Sequence, residues 1–191
     1  GGRERNPQID EAHLLLGKSR YYDQRFIPAL EAFNYILYKY PNSDKIYEAK
    51  IWREKTNIRL ENDALAINNL NKLLNEIEFK DQIFADANAA LAQAFLNLEQ
   101  KDSAVAKIKL ATEFTKSNEE KARYRFILAQ IYEGLGYKDS AYAKYQEVRS
   151  NKVYSNLMDT LCQTGCSFIS IKIDKEGNVL DILVDSHTPS T

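Results

Sequence analysis

Along most of the chain, apolar residues recur at spacings of three and four, the period that lines one face of a helix. Small residues mark a register within that pattern: Ala29 in "IPALEAF", Ala66 in "ALAINNL", Ala104 in "DSAVAKI" and Ala141 in "DSAYAKY", spaced 37, 38 and 37 residues apart. Four positions beyond each stands a larger residue, Phe33, Leu70, Ile108 or Tyr145, and three further on Ile36, Leu73, Ala111 or Val148. One helical face is therefore written four times. In "FIPALEAFNYILYKYP" the helix is predicted to start near Phe26, with Pro28 in its first turn, where a missing N–H does no harm, and to stop at Pro41.

A second helix is predicted before each of these. "AHLLLGKSRYY", "ANAALAQAFLNL" and "RFILAQIYEGLGY" set a Leu beside a small residue: Leu16-Gly17, Leu91-Ala92 and Leu128-Ala129. Each small residue lies twelve positions before the alanine of its partner helix. Small residues at both places let antiparallel helices approach closely while bulky neighbours such as Phe26, Phe33, Ile36 and Leu37 fill the gaps. In "EAKIWREKTNIRL" the small position is taken by Glu54, so that copy departs from the pattern.

Leu16, Gly17, Phe26, Ala29, Phe33 and Pro41, with Leu91, Ala92, Phe95, Ala104, Ile108 and Ala111, and Leu128, Ala129, Tyr132, Gly136, Ala141 and Tyr145, resemble the tetratricopeptide-repeat signature. The resemblance implies an all-α, right-handed superhelix of about four helix pairs. Residues 1–8 are then a lead-in and 9–153 the repeat domain, divided near 9–43, 44–80, 81–117 and 118–153. The period exceeds the family's 34, and "LNEIEFKDQ" and "TKSNEEK" absorb the excess as longer connections. An irregular helical bundle is the plainer alternative, and it does not explain a constant register.

After Val153 the helical period stops. In the tail, 154–191, "FISIKIDKEGNVLDILVDS" alternates apolar and polar residues about "KEGN", which predicts a β-hairpin over 168–185 with Gly177 in its turn. Ile169, Ile171 and Ile173 fall on one face of the first strand, and Leu180, Ile182 and Val184 on one face of the return strand. The segment is similar to a strand pair in the C-terminal domain of TonB-type energy transducers, and equally to a generic hairpin.

Composition narrows the function. The chain has 191 residues, 44% hydrophobic and 28% charged, with a net charge of −1, so no cation excess argues for nucleic acid. No apolar run reaches the length of a membrane span. Cys162 and Cys166 in "CQTGC" match neither a Cys-x-x-Cys pair nor a zinc finger; a disulfide and two free thiols both remain open. His13 and His187 stand at opposite ends of the chain, His13 on a helix face where packing accounts for it. No glycine-rich phosphate loop is present, and "DKEGN" lacks the spaced acids of a calcium loop. The expectation is a non-enzyme with no metal and no cofactor.

What helix pairs of this kind offer is a surface. In the repeat register the open positions of each first helix are Glu11, Lys18, Tyr21 and Tyr22, then Lys55, Ile58 and Arg59, then Gln93, Leu96 and Asn97, then Arg123, Phe126, Gln130 and Glu133. Aromatic and Arg side chains favour binding; an ordinary solvated face is the alternative. The Lys and Asn of the chaperone-binding carboxylate clamp are missing, since Leu14 and Lys18 occupy those places.

From about Asn6 to Tyr145, "NPQIDEAHLLLGKSRYYDQRFIPALEAFNYILYKYPNSDKIYEAKIWREKTNIRLENDALAINNL" and "FKDQIFADANAALAQAFLNLEQKDSAVAKIKLATEFT" resemble the repeat region of the gliding-motility lipoprotein family (SprE/PorW) of the type IX secretion apparatus of the Bacteroidota. That resemblance implies a periplasmic scaffold tethered to the outer membrane through a lipidated Cys outside this segment. Protein or peptide partners among the secretion components are implied as well. It does not extend to the tail from about Arg149. Two other expectations stand beside it: an energy-coupling, TonB-like protein in which the hairpin belongs to a β-rich partner-binding domain, and an enzyme using Cys162 or Cys166.

Overall fold

The computed structural model describes residues 8–149, together with the backbone of 168–173 and 179–185. The chain divides into two units, one ending at Phe114 and the other beginning at Thr115.

The first unit holds six helices in three antiparallel pairs: α1 (Ile9–Tyr22) with α2 (Phe26–Lys39), α3 (Ile46–Arg59) with α4 (Asp63–Glu76), and α5 (Gln82–Asn97) with α6 (Lys101–Phe114). The second holds α7 (Asn118–Gly134) and α8 (Lys138–Arg149), and two antiparallel strands, β1 (Phe168–Ile173) and β2 (Val179–Asp185). Ile169 stands opposite Val184 and Ile171 opposite Ile182, and an irregularity after Lys172 sets Ile173 opposite Val179. The turn with Gly177, and Cys162, Cys166 and His187, lie outside the described residues.

Pro28 sits in the first turn of α2, and its carbonyl accepts a hydrogen bond from Arg20 Nη1 at 3.0 Å. α2 ends at Lys39, two residues before Pro41. Asp81 caps α5, accepting from the N–H groups of Ile83 (3.0 Å) and Phe84 (3.5 Å). Ser117 caps α7 by accepting from the Glu120 N–H at 3.2 Å, while the Glu120 carboxylate accepts from the Thr115 hydroxyl at 2.7 Å.

The register alanines Ala29, Ala66, Ala104 and Ala141 are all buried, as are Gly17, Ala92 and Ala129. A core joining α1, α2 and α3 is built of Leu14, Ala29, Phe33, Ile36 and Ala49, with Trp52 and Tyr21 packed against it. A second cluster joins α3, α4 and α5 through Ile51, Ile58, Leu70, Leu73, Ala90 and Leu91. Ile58, expected on the open face, is buried instead, because α4 and α5 both close on that side of α3. Leu91 is fully covered in that cluster, whereas Leu16, at the same register position, is 42% exposed and its neighbour Leu15 59%.

Glu54 accounts for its own departure from the small-residue pattern. The carboxylate is buried, and its Oε1 accepts from Arg53 Nε (2.6 Å) and Asn69 Nδ2 (3.2 Å), its Oε2 from Asn57 Nδ2 (2.8 Å). A polar side chain replaces close packing between α3 and α4, and the hydrogen bonds offset its desolvation.

The turn inside each pair holds a residue in the left-handed region: Gln24 (φ 60°), Glu61 (62°), Glu99 (58°) and Gly136 (80°). Each is followed by a residue whose N–H reaches back into the helix just ended: Arg25 to Arg20 (2.8 Å), Asn62 to Asn57 (2.9 Å), Gln100 to Phe95 (2.8 Å) and Tyr137 to Tyr132 (2.9 Å). This is the bond of a Schellman turn, repeated in all four pairs.

Candidate functional site

On α3, Glu48, Trp52, Lys55 and Arg59 follow one another at spacings of four, three and four, so they form a single stripe along the helix. On α1, Lys18 and Tyr22 stand one turn apart with Tyr21 between their levels. Packing α1 beside α3 brings the two stripes together. Lys18 Nζ meets Glu48 Oε1 at 2.5 Å and lies 5.4 Å from the centre of the Trp52 ring; Lys55 Nζ lies 4.5 Å from the same ring. Tyr21 and Tyr22 meet Trp52 edge-to-face at 5.3 and 5.7 Å. Phe26, at the start of α2, meets Tyr21 at 5.6 Å and carries the Arg59 guanidinium 5.1 Å above its ring.

The patch thus alternates aromatic rings with cations, the residue types that dominate binding energy where surfaces meet. Trp52 is half-buried against Phe33, at a ring separation of 6.3 Å, so its position is set by the core, while Tyr22 is 72% exposed. Glu48 offsets Lys18; Arg59 has no carboxylate partner among the described residues.

Of the expected surface residues, Lys18, Tyr21, Tyr22, Lys55 and Arg59 come together here. Glu11 is exposed in the first turn of α1. Gln93 and Asn97, on α5, form a chain of their own: Gln93 Nε2 donates to Asn97 Oδ1 (2.9 Å), and Asn97 Nδ2 to Asp63 Oδ1 (2.8 Å) at the start of α4. Their amides tie α5 to α4. Arg123, Phe126 and Gln130 lie on α7 in the second unit; Arg123 and Gln130 are exposed, and Phe126 is half-buried with its ring 5.7 Å from Tyr145. The Tyr145 hydroxyl donates to Glu133 Oε2 at 2.8 Å. Burial first, and that bond second, push the phenol up to about 12.

Trp52, Phe26 and Glu48 are not among the expected site residues. A signal exists, since Trp52 precedes Lys55 by three and Arg59 by seven on the same helical face. His13, expected as a packing residue, stacks on Tyr35 at 4.2 Å and bonds through Nδ1 to the Ile9 carbonyl at 2.8 Å. Leu14, where a carboxylate clamp would need a polar side chain, is buried.

No family model matches the chain, and no curated protein does. Solved structures do. One crystal structure of MamA protein aligns over 76% of this chain and 74% of that one at 21% identity, with a TM-score of 0.56. Another aligns over 71% and 74% at 24% identity, with a TM-score of 0.55. A thermophilic TPR protein of Thermus thermophilus, TTC0263, aligns over 80% and 96% at 19% identity, with a TM-score of 0.43 that carries no weight. The likeness to MamA is one of fold, a run of antiparallel helix pairs.

Proposed function

We propose that the chain is a non-enzymatic interaction scaffold of the type IX secretion and gliding-motility machinery. It works in the periplasm, held at the outer membrane by a lipid anchor outside this segment, with four repeats over 9–153 docking a secretion component. The observation that carries the scaffold reading is the cation–aromatic patch of Lys18, Tyr21, Tyr22, Trp52, Lys55 and Arg59, fixed by the core beneath it. A preorganised surface loses little side-chain freedom on binding, so more of its contact energy appears as affinity. The secretion role rests on the sequence resemblance from Asn6 to Tyr145.

The test is affinity capture from solubilised Bacteroidota envelopes, with the chain and a Tyr22→Ala/Arg59→Ala variant as baits. Recovery of secretion components by the native bait alone supports the proposal. Equal recovery by both moves the binding surface away from the patch, and recovery by neither removes the secretion assignment. A second reading rests on the β1–β2 pairing: a partner strand added to that pair, as in an energy-coupling protein, would serve as the working contact.

A further inference from the structure

Resting on the scaffold reading, the geometry points to the partner's chemistry: the α1–α3 patch takes a peptide segment in which a carboxylate side chain stands next to an aromatic one. Charge gives the first half of the argument. Lys18, Lys55 and Arg59 converge on two aromatic rings; Lys18 engages Glu48 at 2.5 Å, and Arg59 has no carboxylate partner among the described residues. Arg59 therefore brings a cation to the patch that no carboxylate of the described residues answers, although the chain as a whole carries −1. Arg59 lies over the Phe26 ring, and a guanidinium held on a ring face keeps its N–H edges for a planar acceptor, which a carboxylate matches with two parallel bonds.

Ring geometry gives the second half. Tyr21, Tyr22 and Trp52 meet edge to face, which leaves the outward face of Tyr22, 72% exposed, open to another ring. Tyr22 meets Tyr21 at 5.7 Å, Tyr21 meets Phe26 at 5.6 Å and Phe26 carries Arg59 at 5.1 Å, so one run of rings joins an aromatic contact to a carboxylate contact. A polyphosphate is the less suitable anion. Its affinity grows with the number of cations it neutralises, and this patch holds few.

Trp52 is the chain's single tryptophan and sits inside the patch, so its fluorescence reads occupancy directly. The full chain is titrated with a peptide of alternating Glu and Phe, and with counterparts carrying Gln or Lys in place of Glu, or Ala in place of Phe. A short oligonucleotide serves as the polyanion control. The Glu–Phe peptide is expected to bind roughly tenfold tighter than each counterpart, and to weaken as salt rises. Arg59→Ala is expected to lower that affinity about fivefold, the scale of an exposed charge-assisted contact. Tyr22→Ala is expected to act against the Glu–Phe peptide and not against its Glu–Ala counterpart. Both substitutions are at exposed positions, and unchanged helicity by circular dichroism separates lost contacts from lost folding.

Equal binding of the Gln–Phe or Lys–Phe peptide overturns the inference and leaves the scaffold reading intact with a different partner. Preference for the oligonucleotide, or no response of Trp52 to any peptide, overturns it too. The scaffold reading itself falls only if envelope capture also fails.

Discussion

Phe33 occupies the space that a side chain at position 17 would need: a Cβ on Gly17 would stand 2.4 Å from Phe33 Cε1. Phe33 is completely buried and stacks on Trp52, so it has little room to yield. Gly17→Ala gains about 1 kcal/mol of helix propensity, yet overpacking costs about 1–3 kcal/mol. The expected outcome is a net loss of stability of up to about 2 kcal/mol by urea unfolding. Phe33→Leu introduced beside Gly17→Ala should recover part of that loss, and additive losses would show that the two positions do not compete for space.

The left-handed turn residues give a comparison across equivalent positions. Gln24, Glu61 and Glu99 bear the steric cost of positive φ that Gly136 avoids. Replacing any of the three by Gly is expected to stabilise by up to about 1 kcal/mol, net of the extra freedom glycine gives the unfolded chain. Gly136→Ala should destabilise by about 1 kcal/mol. Because nothing lies within 4 Å of a Cβ built there, the effect is backbone strain alone. Thermal melts of the four variants measure it.

Glu54 is predicted not to tolerate the small residue its register suggests. Glu54→Ala strands the Asn57 and Asn69 amides and the Arg53 guanidinium, and leaves a void between α3 and α4. A loss of about 2–4 kcal/mol is expected from the unmade bonds and the void together. Glu54→Gln should cost less, since it keeps the volume and one acceptor. A stable Glu54→Ala variant would mean that the helices can close to the spacing of the other pairs.

Tyr145 links stability to pH. Its phenol has an ordinary value of 10.0 and is pushed up to about 12 by burial and by the bond to Glu133. A group harder to ionise when folded contributes fully below its unfolded value and loses that contribution as pH rises through its folded one. The α7–α8 contribution from Tyr145 is thus complete below about pH 10 and fades toward about pH 12. Ultraviolet titration should show one phenolate appearing late, and Tyr145→Phe should remove that late step. Persistence of the step in Tyr145→Phe would assign it to another tyrosine.

The helix pairs are legible because the helical period is local: Ala29, Ala66, Ala104 and Ala141 declare in sequence the face they bury. The left-handed turns are not, since only Gly136 advertises positive φ, and Gln24, Glu61 and Glu99 adopt it through the bonds that close the turn. Within the patch, register locates Lys18, Tyr21, Tyr22, Lys55 and Arg59. Trp52 escapes it on the helix whose pattern Glu54 interrupts, and Phe26, which periodicity assigns to the core, is half-buried beneath Arg59. Gln93 and Asn97 are exposed, as their register places them, but periodicity gives a face and not a partner; Asp63, 34 residues from Asn97, is reached only through the fold.

The exposure of Leu15 and Leu16 makes the α1 flank an unsaturated joint. Any further helical pair shaped like α3–α4 could cover Leu16 as α3 and α4 cover Leu91, gaining about 25 cal/mol for each Å² of apolar surface withdrawn from water. Because each pair in such an array contacts only its neighbours, that gain would leave the α5–α6 packing untouched. Extension at this end is therefore a question of adhesion at a single seam, decided one pair at a time.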